Sequence, residues 1–168
     1  MNDPSGIDIA PSRNAAVLSV SPTLEDRASL ERILRGSGWT LLVADAVASS
    51  FSILRERTVS IVICEDSGLP GTWRELLTHI ALLDDPPLLI VTARLADERL
   101  WAEALNLGAY DVLATPFDVT EVTRIVEMAH QHWDHRRELL AGGSQPRPAA
   151  NKTSQPCGEK VNESNCIA

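Results

Sequence analysis

The residues whose types could do chemistry stand at the ends of short apolar runs. Cys64-Glu65-Asp66 closes one run and leads into Ser67-Gly68-Leu69-Pro70-Gly71. Thr92 closes a second, Thr115-Pro116 follows a third, and Ser21-Pro22 follows a fourth. Two carboxylates with hydroxyls from separate segments can hold a hard cation or accept a phosphoryl group, since both chemistries use oxygen donors. Other chemistries lack their residues. There is no Gly-x-Ser-x-Gly elbow for a serine nucleophile and no Gly-rich loop to cradle a nucleotide phosphate. Of the four histidines, His130, His132 and His135 share one helical stretch and its exit; His-x-His there is more often an exposed polar feature than a metal site, and His79 stands apart. Cys64 lies in an apolar run and reads as a small buried hydrophobe, whereas Cys157 and Cys166 are too far apart for Cys-x-x-Cys chemistry. Cysteine usage fits a reduced, cytoplasmic protein with incidental thiols.

The elements that must position these residues follow from the apolar pattern. The runs 15–20, 40–44, 59–64, 87–92 and 110–114 are short, rich in Val, Ile and Leu, and apolar on both faces, as in parallel strands covered on both sides. Between them, 23–35, 46–56, 72–83, 96–107 and 119–133 carry apolar residues at helical spacing, for example Val122, Ile125, Val126, Ala129 and Trp133. Leu100, Trp101, Ala104 and Leu105 form the stripe of the fourth helix. Thr23 with Asp26, Thr72 with Glu75 and Asp118 with Glu121 resemble capping boxes; Gly36-Ser37-Gly38, Asp84-Asp85-Pro86-Pro87 and Gly108 mark stops. Strand and helix alternate five times, which predicts an α/β doubly wound, open parallel sheet with right-handed crossovers. In such sheets the site lies beyond the carboxyl ends of the strands. Ser21, Glu65, Asp66, Thr92 and Thr115 should therefore converge on one crest.

Composition bounds the rest. The chain has 168 residues, 44% of them hydrophobic, enough for one domain. Its formal charge is −8, with no basic patch, which argues against direct nucleic-acid binding. Every cation before Lys152 is an arginine, so a lysine-dependent mechanism has no residue in the folded part. No run reaches the ~18–20 apolar residues of a membrane span, and the first residues lack signal-peptide order. The expected organisation is a flexible lead over 1–13, one domain over 14–137 and a disordered tail over 138–168, low in apolar residues.

Taken in order, Cys64-Glu65-Asp66-Ser67-Gly68-Leu69-Pro70-Gly71, Ile90-Val91-Thr92-Ala93, Gly108-Ala109-Tyr110-Asp111-Val112-Leu113 and Thr115-Pro116-Phe117-Asp118 resemble the receiver domain of bacterial response regulators. The resemblance spans roughly 14–137. It implies a flavodoxin-like five-stranded sheet of order 2-1-3-4-5. It also implies that Asp66, four residues before Pro70, is the phospho-acceptor of a histidine kinase, that Thr92 is the switch hydroxyl, and that the bond before Pro116 is cis. A loop register shifted by one would put Glu65 at the acceptor position instead, as a fixed negative charge; the Leu-Pro-Gly spacing favours Asp66. Ser21, Thr92 and Thr115 are the phosphoryl-contact candidates.

The departures from the family pattern are chemical. Ser21 and Pro22 replace the two acidic residues that hold Mg²⁺ in the family, and Thr115 replaces its lysine. Val112 stands where many receivers carry a switch aromatic. No metal is expected; if one bound, Asp66 and Glu65 would hold it, and Mg²⁺ would matter only to a phosphorylation-competent chain. Arg94 is the nearest cation and a candidate resting partner of Asp66.

These readings predict a stand-alone receiver-like protein in phosphorelay signalling that acts by protein contact, is weakly phosphorylated or not at all, and is not an enzyme. The alternative is a working single-domain regulator phosphorylated at Asp66; a third is a small α/β nucleotide-binding or enzymatic domain. The partner would be a protein or a histidine kinase, with a second copy as a candidate through the helix 4–strand 5–helix 5 face. Arg94, Arg99, Trp101, Glu103, Arg124 and Glu127 are candidates for that face.

Overall fold

The computed structural model describes residues 15–67 and 71–142. The elements are β1 Ala16–Val20, α1 Leu24–Gly36, β2 Leu41–Ala44, α2 Val47–Glu56, β3 Val59–Glu65, α3 Trp73–Ile80, β4 Leu88–Ala93, α4 Glu98–Leu107, β5 Asp111–Ala114 and α5 Val119–Gly142. All strand pairs are parallel, in the order β2-β1-β3-β4-β5.

Alternation along each strand sends side chains into two separate cores. Val17, Ile61, Ile63, Ile90 and Leu113 face α1 and α5, where they meet Leu30, Ile33, Leu34, Val122, Ile125, Val126 and Ala129. Leu18, Val20, Val62, Cys64, Val91 and Val112 face the opposite way, against Val47 of α2, Trp73 and Leu76 of α3 and Leu100 and Ala104 of α4. This pair of faces decides which residues reach the crest.

The helix ends follow local chemistry. Thr72 and Asp118 accept hydrogen bonds from the Glu75 and Glu121 amides, as the capping pattern predicts. Asp97, which the sequence reading passed over, caps α4 by accepting from the Leu100 amide at 2.8 Å. Gly108 ends α4 at φ +107, a left-handed conformation that a Cβ would strain. On α4 only Leu100 and Ala104 are buried; Trp101 and Leu105 of the expected stripe are exposed.

α5 runs to Gly142, past the boundary expected at residue 137, because its last turns are anchored. Arg137 Nε bonds Asp85 Oδ2 at 2.8 Å, its guanidinium lies 4.5 Å from the Trp133 ring centroid, and Arg136 donates to the Pro86 carbonyl. The lead over 1–13 and the tail from 143 onward lie outside the described residues.

Cys64 is fully buried, and burial first, then the Glu65 and Asp66 charges, push its thiol up to about 12. At pH 8 its thiolate fraction is on the order of 10⁻⁴, so a thiol reagent should leave Cys64 unmodified in the native chain and label it after denaturation, as read by peptide mapping. Rapid native labelling would contradict this packing.

Candidate functional site

The site is built where the α1/α5 face of the sheet reaches its carboxyl edge. Continuing the alternation, Val17 leads to Ser19 and Ser21, Ile63 to Glu65, Ile90 to Thr92 and Leu113 to Thr115. The ladder holds Ser21, Glu65 and Thr92 level, since Val20 pairs with Cys64 and Glu65 with Thr92; Thr92 pairs with Leu113, so Thr115 stands two residues further out on the same face, its amide donating to the Ala93 carbonyl at 3.0 Å. The Thr115–Pro116 peptide is cis.

β3 extends one residue beyond the run read from sequence, and that residue is Glu65. Ser21 Oγ donates to Glu65 Oε2 at 2.6 Å, a length typical of a hydroxyl on a carboxylate. Thr23 Oγ1 donates to the same carboxylate at 3.2 and 3.4 Å. Thr23 therefore does not cap α1 with its side chain, although it is the N-cap residue; its amide donates to Ser21 Oγ at 3.0 Å instead. The turn is fixed from below by Arg27, whose Nε donates to the Ser21 carbonyl at 2.6 Å.

Asp66 takes the other direction. Its amide continues the ladder, donating to the Thr92 carbonyl at 2.8 Å, so its side chain falls on the face opposite Glu65. There Oδ1 accepts from the indole Nε1 of Trp73 at 2.7 Å. The structure thus joins Ser21, Glu65, Thr92 and Thr115 in one row and holds Asp66 on the neighbouring face. Arg94 is exposed, and its charge bears on Asp26.

Sequence reasoning missed Thr23, read as a cap, and Trp73, read as part of a core stripe. The signal for Trp73 was a polar handle in a buried position, which needs an acceptor nearby. Arg74 lies over Trp73, 4.3 Å from the ring centroid, and its NH2 pairs with Glu103 at 2.6 Å, tying α3 to α4. Both partners of that pair are half exposed, so its contribution to stability is small.

The electrostatics of the crest are one-sided. Burial, then Glu65, raise Asp26 above the ordinary 3.8, with Arg94 opposing and Glu25 adding to the rise. The native state thus holds the Asp26 proton more tightly than the unfolded chain does, and Asp26 withdraws stability as pH rises from about 3.8. Glu65→Gln should bring the Asp26 midpoint back down toward the ordinary value without restoring it fully, since burial remains. An NMR titration of the Asp26 carboxyl checks this; an unmoved midpoint would contradict the coupling.

The donor set does not fit Mg²⁺. This ion favours carboxylate oxygens in octahedral array. The row offers one carboxylate, already bonded to two hydroxyls, with Ser21 and Pro22 beside it. Among the described residues no three His, Cys, Asp or Glu side chains are grouped to hold a metal. No described helix is long and apolar enough to cross a membrane.

Five alternating units in the order 2-1-3-4-5, with a carboxylate closing β3 and a hydroxyl closing β4, are the arrangement of the receiver fold of response regulators, and the folded part of this chain has that fold. Among curated proteins it is similar to the transcriptional regulatory protein ZraR of Escherichia coli O157:H7, 30% identical over 122 residues, covering 71% of this chain and 27% of that protein. The chain thus spans about a quarter of the length of the curated relatives it matches. Among solved structures it is similar to the signal receiver domain of an HD domain-containing protein from Pseudomonas fluorescens Pf-5, with a TM-score of 0.68 at 24% identity over 79% of this chain and 98% of that one. It also resembles the beryllofluoride-activated NtrC4 receiver domain dimer, with a TM-score of 0.65 at 19% identity over 70% of this chain and 98% of that one. No sequence-family model matches the chain.

Proposed function

We propose that this receiver domain serves two-component signalling without phosphorylation, presenting a permanent carboxylate and acting by protein–protein contact. The observation that carries the reading is the Ser21–Glu65 bond at 2.6 Å, made by the residue that pairs with Thr92 across the sheet. In this reading Glu65 stands at the acceptor position. Two hydroxyls take the place of a metal in holding it. One carboxylate can be held in place by two neutral hydroxyl donors, whereas several converging carboxylates would need a cation to hold them together.

Phosphoryl transfer is mainly positioning and charge stabilisation, supplied by metal and cation. A phosphoryl group here would meet Glu25, Asp26, Glu65 and Asp66, with Arg94 as the nearby cation. Phosphorylation at Asp66 is the alternative, motivated by its spacing from Pro70, and it requires Trp73 to release the carboxylate. Partner contact would use the α4–β5–α5 face, where Trp101, Leu105, Val119 and Met128 are exposed beside Arg99 and Arg124. A second copy is a candidate occupant, since a related receiver forms a dimer. The non-enzymatic role and the cytoplasmic location expected from sequence belong to the same proposal.

Beryllium fluoride with Mg²⁺ mimics a bound phosphoryl group. Added to the labelled chain, it should leave the amide resonances of Glu65, Asp66, Thr92 and Thr115 in place. Saturable shifts at these residues would overturn the reading.

A further inference from the structure

The row at the crest is finished on one side and open on the other. Glu65 is held by Ser21 and Thr23, both neutral, and among the described residues it has no ion-pair partner. Thr92 and Thr115 are only 3% and 8% exposed, yet among the described residues their hydroxyls have no hydrogen-bond partner. Neither hydroxyl is among the partnerless polar atoms sealed from solvent, so both open onto the crest. Two nine-tenths-buried threonines with free oxygens, one level with a carboxylate lacking a cation and the other one side-chain step further out on the same face, describe a receptor for a donor-rich positive group.

The chemistry narrows the occupant. An oxyanion would be repelled by Glu25, Asp26 and Glu65. A divalent metal lacks carboxylate ligands, since no three acidic or metal-binding side chains are grouped here. A primary ammonium has three N–H donors and no acceptor, and the row offers three acceptor groups: the Glu65 carboxylate, the Thr92 hydroxyl and the Thr115 hydroxyl. Residues 15–142 contain no lysine, so the folded part cannot supply the group itself.

We propose that the crest receives the ammonium of a lysine side chain from a protein partner, seated on Glu65, Thr92 and Thr115. This rests on the reading of Glu65 as a permanent carboxylate, and it identifies partner chemistry at the same site. The exposed Leu24 and Leu95 flank the crest and would meet the apolar stem of that lysine.

The test titrates the labelled full chain with Nα-acetyl-lysine methylamide and follows amide shifts. Saturable shifts at Ser21, Glu65, Thr92 and Thr115 are expected, with none from the neutral probe Nα-acetyl-norleucine methylamide, which keeps the four-carbon stem and lacks the ammonium. Glu65→Gln should weaken the response about tenfold and Thr92→Val about fivefold, the loss of an ion pair and of an ammonium-to-hydroxyl hydrogen bond respectively. Thr115→Lys, which builds the ammonium into the chain, should abolish it while keeping a dispersed spectrum. No response to the lysine probe, an equal response to norleucine, or equivalent shifts from MgCl₂ at lower concentration would each overturn the proposal. The beryllofluoride result is independent: shifts there overturn the unphosphorylated reading whatever the amine does.

Discussion

Trp73→Ala should lower the stability of this domain by about 3–5 kcal/mol, the usual cost of deleting a buried Trp or Phe side chain. The indole is fully buried between α3 and the sheet, in the core that also holds Val62, Cys64 and Val91. The cavity is one part of the loss; the bond to Asp66 is the other. The two parts separate by mutation. Asp66→Ala leaves the ring in place and strands its N–H, at a cost of about 1–3 kcal/mol. Asp66→Asn keeps an acceptor and should recover much of that. In the Trp73→Phe background, Asp66→Ala should cost little, because the N–H is already gone. At about 2–4 °C per kcal/mol for a domain of this size, thermal melts distinguish these outcomes. An Asp66→Ala protein as stable as the wild type would mean that Asp66 is a free side chain, available for other chemistry.

The second large effect is expected at Ser21. Ser21→Asp sets a second carboxylate within hydrogen-bond reach of Glu65 and removes the 2.6 Å donor. Two such charges at about 4 Å repel by at most ~4 kcal/mol near a protein surface, so a net loss of roughly 1–3 kcal/mol at pH 7 is expected. The sign with pH is defined. The pair holds a proton more tightly in the native than in the unfolded state, so the loss grows as pH rises and fades as pH falls toward 4. The variant should also gain what the wild type lacks, a pair of carboxylates able to share Mg²⁺. Melting temperature at pH 7 should rise with Mg²⁺ in Ser21→Asp and stay level in the wild type. An equal rise in both would show that the native donor set already binds the ion.

Much of the architecture was legible because both-face apolar runs and helical stripes are long-range features that survive small errors of boundary. The cis bond at Thr115–Pro116 was visible through the family resemblance alone, since nothing local distinguishes a cis from a trans proline there. The finer geometry of the crest turned on a single residue. Counting back from Pro70 selects Asp66, whereas counting forward in twos through Ile61 and Ile63 selects Glu65. The period-two rule holds inside a strand, and a loop motif carries no such constraint, so the strand count describes which side chain faces α1 and α5. Thr23 was misleading for a related reason. A threonine before a helix reads as a cap whose hydroxyl accepts from a helix amide, but here that hydroxyl is turned to donate to the Glu65 carboxylate. Trp101 and Leu105 fitted a helical stripe, yet α4 buries only a narrow strip, Leu100 and Ala104, leaving both exposed. The length of α5 depended on two arginines finding Asp85 and Pro86 across the fold, contacts that no local pattern announces.

The most direct test of the central claim is intact mass after incubation with acetyl phosphate and Mg²⁺, on the wild type and on Asp66→Ala, with a phosphorylatable receiver run alongside as a positive control. No added mass is expected on either protein while the control gains one phosphate. A gain of one phosphate on the wild type that vanishes in Asp66→Ala would contradict it: Asp66 would then be a working acceptor, and the carboxylate at Glu65 would not stand in for phosphorylation.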